Sequence, residues 1–211
     1  MDVAKRLHRR CKPERRHQMT LYIYTEEQSA EKCFESFLPK VVLDSERFKI
    51  FSHGGRENLL QALKKTLPSV SKVDGAKILV TIDQDNYSCK ELKQKLEEII
   101  KENCHCPYKI RIVCKELESW FLGDLEAISK AYPRLKSGKY RNKSEIKNVD
   151  EINKPSEKLI KMIKEIDGRK FLSKGELSEK ISPHLNIDIN SSVSFQQTIQ
   201  AIKSLTASSQ Y

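Results

Sequence analysis

The segment Lys77-Ile-Leu-Val-Thr-Ile82 constrains the fold of this chain more than any other. It is a continuous apolar run of strand length with no polar alternation, so it reads as a parallel strand covered on both faces. It stops abruptly at Asp83-Gln84-Asp85. A sheet covered on both sides needs crossover helices, and the flanking sequence supplies them. Thr20-Leu-Tyr-Ile-Tyr-Thr25 is rich in β-branched and aromatic residues and reads as a first strand. From Gln28, the residues Ala30, Phe34, Phe37, Leu38 and Val41 recur at helical spacing. Phe48–Phe51 is a second strand, ending at His53-Gly54-Gly55, and Leu59, Leu60, Leu63 and Leu67 form the stripe of a second helix. Pro68 and Asp74-Gly75 mark the loop that follows. A third helix carries Leu92, Leu96, Ile99 and Ile100 inward, and Tyr108–Cys114 is a fourth strand. Strands alternating with helices in this way predict an α/β fold built on a parallel sheet.

After Cys114 the strand signals disappear. Helix is expected over 116–131, over 155–166, and in shorter pieces over 173–181 and 194–205, with an irregular polar stretch over 133–153. The expected organisation is therefore an arm over 1–18, an α/β core over 19–114 and a helical extension packed on the core over 115–211. No apolar stretch approaches the ~20 residues that cross a bilayer, and the basic start has no apolar segment after it, which points to the cytoplasm and away from membranes.

The chain has a net charge of +10, which favours polyanions as partners. Half of that excess sits in residues 1–18, where seven Lys or Arg face only Asp2 and Glu14. That arm reads equally as a nucleic-acid-binding segment or as a tail preceding a second candidate start at Met19. The six cysteines form no disulfide framework, and Cys104-His105-Cys106 has no second ligand pair at zinc spacing, so it reads as a reduced loop before a strand.

In open α/β sheets, ligands gather beyond the carboxyl ends of the strands. Two strands here end in carboxylates: Glu26-Glu27 after the first, and Asp83 and Asp85 at the end of the third. Hard oxygen ligands suit Mg²⁺ or Mn²⁺, which keep coordination positions for substrate phosphates. Asp is also common after strands because it makes turns and caps helices, so either residue of an isolated Asp-X-Asp could be turn chemistry. The combination with a glutamate after strand one favours metal. It requires the Glu26–Glu27 turn and the Asp83–Asp85 pair to lie within roughly 10 Å of each other, the span of a two-ion centre.

The order strand, Glu, helix, strand, helix, strand, Asp-X-Asp resembles the Toprim domain of primases, topoisomerases and OLD-type nucleases. Leu21–Ser29, Asp83-Gln-Asp85, Arg111–Asp124 and Ser182-Pro-His184 are similar to bacterial domain-of-unknown-function family 4276, a Toprim-like family, over about residues 19–208. This resemblance implies a Rossmannoid parallel sheet with helices on both faces and a C-terminal helical extension. It implies that Glu26 is the general acid/base or metal-linked glutamate and that Asp83 and Asp85 hold Mg²⁺. Many Toprim domains have Gly directly after the glutamate; Glu27 stands there in this chain, which leaves Glu26 and Glu27 as alternative catalytic residues. Related proteins act beside an ATPase in mobile-element defence. This chain has no Walker-type phosphate loop, so a partner would have to supply ATP hydrolysis.

Further candidates surround this centre. Glu116 and Glu118, just beyond strand four, could hold a second metal or could complement a helix start. Arg56, after the Gly54-Gly55 pair, could neutralise a phosphate. Lys139 and Arg141 flank Tyr140 in a stretch suited to a nucleic-acid strand or simply to solvent. Trp120 and Phe121 read as core, Asp124 as a helix cap, and His184 as a buried or capping histidine. These readings lead to a Mg²⁺-dependent nuclease or nuclease subunit, with a non-catalytic nucleic-acid- or partner-binding module as the alternative. A topoisomerase lacks room for a cleavage domain, a primase lacks its template-binding modules, and a glycosyltransferase leaves Glu26 unexplained. Haloacid-type phosphatases place Asp-X-Asp after the first strand. The sequence carries no indication of oligomeric state.

Overall fold

The computed structural model describes residues 19–43, 47–141, 146–168 and 171–207, with the side chains of Arg141 and Asp167 left aside. The basic arm and residues 44–46, 142–145, 169–170 and 208–211 lie outside the described residues. Four strands, β1 (Thr20–Thr25), β2 (Arg47–Ser52), β3 (Ala76–Asp83) and β4 (Tyr108–Val113), form one all-parallel sheet in the order β2-β1-β3-β4. The long apolar strand is therefore central, as its composition requires, with Ile78, Leu79 and Val80 fully enclosed. β2 is an edge strand. It shows Arg47 and Lys49 to solvent, charges that discourage edge-to-edge pairing.

Helices α1 (Gln28–Phe37), α2 (Arg56–Val70) and α3 (Cys89–Asn103) connect the strands. Side chains alternate along β1: Tyr22 and Tyr24 face the core formed with α2 and α3, while Leu21 and Ile23 face the core shared by α1 and the second half of the chain. The predicted stripes of α2 and α3 are the buried residues of those helices. Pro68 does not mark the loop. It lies in the last turn of α2, which runs on to Val70, and Ser71 N–H closes the helix on Leu67 O.

Beyond β4 the chain is helical: α4 (Glu118–Leu122), α5 (Leu125–Ala131), α6 (Gly138–Arg141), α7 (Pro155–Asp167), α8 (Lys174–Ile181) and α9 (Val193–Thr206). The single helix expected over 116–131 is two helices. The chain breaks at Gly123-Asp124, where Asp124 Oδ1 caps α5 by accepting from Ala127 N–H, and its Oδ2 accepts from Asn186 N–H. α9 packs on β4 and β3, and α8 packs on α1. Trp120 is fully buried between Phe34, Phe37 and Phe195, in edge-to-face contact with each, and its indole N–H donates to Ser194 Oγ. The aromatic cluster thus ties α1, α4 and α9 together over one face of the sheet. No helix among the described residues is long and apolar enough to cross a membrane.

Candidate metal and phosphate site

Glu26 and Asp83 come together because β1 and β3 are hydrogen-bonded neighbours that end at the same edge. The Gly54-Gly55 turn brings in the third component. Both glycines have positive φ, 66° and 135°, and Gly55 N–H donates to the Glu26 carbonyl at 3.0 Å. That bond seats the first residue of α2, Arg56, against the carboxylates. One guanidinium nitrogen of Arg56 lies 2.7 Å from Asp85 Oδ2, 2.7 Å from the Asp83 carbonyl and 3.7 Å from Glu26 Oε2. The two acidic turns therefore meet within the reach of one side chain, inside the limit the metal reading demands.

Asp85 adopts the left-handed conformation, φ 51°, and so does Lys115 across the gap between β3 and β4, φ 60°. Asp85 N–H donates to Lys115 O at 2.8 Å, holding the Asp83–Asp85 turn to the end of β4. Both acids flanking Leu117 sit nearby. Glu116 Oε2 accepts from Ser156 N–H at the start of α7, at 2.9 Å. Glu118 is fully buried, and neither of its carboxylate oxygens has a hydrogen-bond partner.

A second cation enters from the helical extension. Lys174, the first residue of α8, places Nζ 3.5 Å from Glu27 and 3.9 Å from Glu116. The sequence reading missed this residue. The available signal was a lysine in the first turn of a helix, where the dipole disfavours positive charge unless anions surround it.

The electrostatics follow from this crowding. Burial pushes the Glu118 carboxyl up to about 7. Burial, and then the neighbouring Glu118 charge, raise Asp83 well above the usual carboxylate range. Glu26 is also raised, by burial first and then by Asp85 and Glu27, with Arg56 opposing. Burial alone would lower the Lys174 ammonium, but Glu118, Glu27, Asp83 and Glu116 outweigh it and raise it.

Whether these groups suit a divalent ion can be judged from the donors themselves. They are hard carboxylate oxygens, and Glu26 Oε2 and both Glu118 oxygens are buried without a hydrogen-bond partner. A void of about 10 Å³, room for about one water-sized group, borders Glu26, Glu27 and Asp83 on one side and Phe34, Leu117 and Trp120 on the other. Among the described residues no three ligating side chains converge closely enough to enclose an ion as they stand; Arg56 and Lys174 supply the positive charge. The donor chemistry fits Mg²⁺, and Arg56 and Lys174 are ion-paired with the same carboxylates.

The outlying candidates separate from this centre. Lys139 is exposed on α6, but Tyr140 is buried in the core and offers no stacking face to a nucleic-acid strand. The Arg141 side chain lies outside the described residues. His184 is exposed at the end of a short 3₁₀ turn, not buried. Cys104 and Cys106 are free thiols with sulfurs 3.7 Å apart. Trp120 and Phe121 are core, as expected.

Comparison with known proteins bears on the family and the fold. No curated protein matches the chain at a significant level. Among solved structures, the chain is similar to the C-terminal region of the Burkholderia pseudomallei OLD protein, with a TM-score of 0.52 and 13% identity. The match covers 88% of this chain and 98% of that one. At that identity the likeness concerns the fold, which is Toprim-like, a four-stranded parallel sheet with helices. The family model for the domain of unknown function DUF4276 matches residues 25–203, from the end of β1 through most of α9, and the chain belongs to that family.

Proposed function

We propose that the protein is a Mg²⁺- or Mn²⁺-dependent nuclease, or the nuclease subunit of a larger assembly, acting on nucleic-acid phosphodiesters. The observation that supports this reading is the gathering of the Glu26 and Asp85 carboxylates and the Asp83 carbonyl around Arg56 at the carboxyl edge of the sheet, with the Asp83 carboxylate beside them accepting from Leu117 N–H. Glu26, Asp83 and Asp85 would hold one ion, and Glu116 and Glu118 are the donors for a second. When bound, the ion supplies charge to a phosphate oxygen and makes water acidic enough to attack phosphorus. The Glu26 carboxyl, raised by burial, is suited to carry a proton during the displacement, with Glu27 the alternative carrier. Arg56, anchored by Asp85 and the Asp83 carbonyl, is a fixed guanidinium for a phosphate.

The chain's +10 charge supports a polyanionic substrate. The likeness to the OLD region motivates an ATPase partner and a cytoplasmic defence role as parts of the same proposal. The division into a catalytic core over 19–114 and a helical extension over 115–211 is likewise proposed, with Lys174 as the extension's contribution to the site.

A second reading has its own observation. Arg56 and Lys174 already supply positive charge to the carboxylates, as they would in a binding module that cleaves nothing. Plasmid nicking with Mg²⁺ or Mn²⁺ separates the two. The unmodified protein is expected to nick, and the Asp83→Asn, Asp85→Asn double variant to lose at least about a hundredfold in rate while still binding DNA, the scale of lost charge stabilisation at a reacting phosphate. Binding without any metal-dependent cutting by the unmodified protein would leave the module.

A further inference from the structure

Arg56 faces two ways. Its terminal nitrogen binds the carboxylates, while its flat face lies against the ring of Tyr87, with the guanidinium carbon 4.1 Å from the ring centroid. Beneath this pair, between α2 and α3, is a cavity of about 210 Å³. Leucines and Ile82 make its apolar lining, and Glu57, Glu91 and Lys95, with Arg56, give it polar groups of both signs. Tyr87 stands beside it as a large aromatic ring more than half exposed, at 57%. Nε and Nη1 of Arg56 are buried and donate to nothing.

From these observations we infer a subsite for one unstacked nucleobase, immediately beside the carboxylate centre. The inference rests on the proposed nucleic-acid substrate and specifies its form: a strand with a base free to leave the stack. The cavity is smaller than the range of about 300–1,000 Å³ typical of drug-sized ligands, so its occupant is one flat group and not a larger molecule. Apolar walls with a few polar groups suit a heterocycle that carries donors and acceptors on its edge. The exposed Tyr87 ring offers the stacking face, and its cationic partner Arg56 joins that face to the phosphate site. A base lodged here would bring its own backbone phosphate to the side of Arg56 where Asp85 and Glu26 lie. A duplex base pair cannot enter, so the subsite selects single-stranded or locally opened nucleic acid.

Fluorescence anisotropy in chelator, where no strand is cut, tests this with two probes: a labelled short single-stranded DNA, and a strand of equal length in which abasic spacers replace every nucleotide base. The unmodified protein is expected to bind the base-bearing strand about tenfold more tightly, the scale of one base–aromatic stack. Tyr87→Ala should abolish that preference, read as the ratio of the two affinities within each variant because Tyr87 also packs on Arg56, whereas Tyr87→Phe should retain it. Because Tyr87 is exposed, folding should survive both changes, and circular dichroism checks this. Equal affinity of the unmodified protein for the two strands, or a preference that persists in Tyr87→Ala, overturns the subsite. The nuclease reading fails separately: a Tyr87-dependent base preference without metal-dependent nicking keeps the subsite and removes catalysis, and nicking without base preference does the reverse.

Discussion

Replacing Glu118 with Gln should stabilise this protein above neutral pH. The wild-type carboxyl is fully buried, unpartnered, and has its pKa pushed up to about 7 from an ordinary 4.5. A group whose pKa is higher when folded contributes stability that is complete below the unfolded value and is lost as pH rises through the folded one. The loss therefore falls between about pH 4.5 and 7 and is constant above that window. Each pKa unit corresponds to about 1.4 kcal/mol, so ionised Glu118 costs on the order of 3 kcal/mol at pH 8. That value already contains the attraction of Lys174, which works against burial. Gln occupies the same space without charge, but its N–H groups would be buried without acceptors. That returns about 1–2 kcal/mol, leaving a net gain of about 1–2 kcal/mol at pH 8. At pH 4.5 the substitution exchanges one largely neutral group for another and brings no such relief. Urea denaturation in chelator at the two pH values measures the difference. The reasoning is refuted if Glu118→Gln changes stability equally at both, because then no buried charge has been relieved.

Two further substitutions probe the surroundings of the site. Lys174→Met removes the cation facing Glu27 and Glu116; because Lys174 is partly solvated, the cost in chelator at pH 8 should be about 1–2 kcal/mol, below that of a fully buried pair. Mg²⁺ should then raise the melting temperature of the variant more than that of the parent, and equal shifts in the two would separate Lys174 from the ion-binding acids. Gly123→Ala would drive a Cβ into Asn190 Oδ1 and to 2.9 Å from Ser192 N, at the joint between α4 and α5. Asn190 is buried, and its side chain donates to Trp120 O and accepts from Ser192 N–H, so it cannot swing aside; the loss should be about 2–3 kcal/mol in urea denaturation, and a loss below about 0.5 kcal/mol would show that the Asn190 loop relaxes freely.

The parts of the fold legible in the sequence were those whose apolar pattern follows directly from the layers of the sheet. Ile78–Ile82 read as a central strand because both faces are covered, and Leu59–Leu67 as a helix because one stripe meets one sheet face. The extension was harder to read because its helices pack on one another as well as on the sheet. Trp120-Phe121-Leu122 is buried on every side, so apolar continuity ran across the break at Gly123-Asp124 although both residues are helix punctuation. Glu26, Asp83 and Asp85 were expected at one edge because neighbouring parallel strands present their carboxyl ends on the same side of the sheet, and all three lie at that edge. Lys174 had no such guide. It reaches the acids through the packing of α8 on α1, a tertiary relation that no local spacing records. Tyr140 failed in the opposite direction: a tyrosine between basic residues looked like a surface platform and is core.

Several locally unfavourable choices coincide at this sheet edge. Glu118 and Glu26 bury carboxylate oxygens that no donor satisfies. Lys174 opens a helix, against the dipole. Asp85 and Lys115, neither of them glycine, hold left-handed backbone, and they are hydrogen-bonded to each other. Such backbone costs of order 1 kcal/mol for each residue, and an unsatisfied buried polar group about as much or more. A sequence shaped only for stability would scatter these costs or remove them; a single substitution, Glu118→Gln, is expected to relieve part of the largest. Their concentration where two strand ends, one guanidinium and one ammonium meet marks this edge as the place where local rules of stability are set aside, as they are at functional sites.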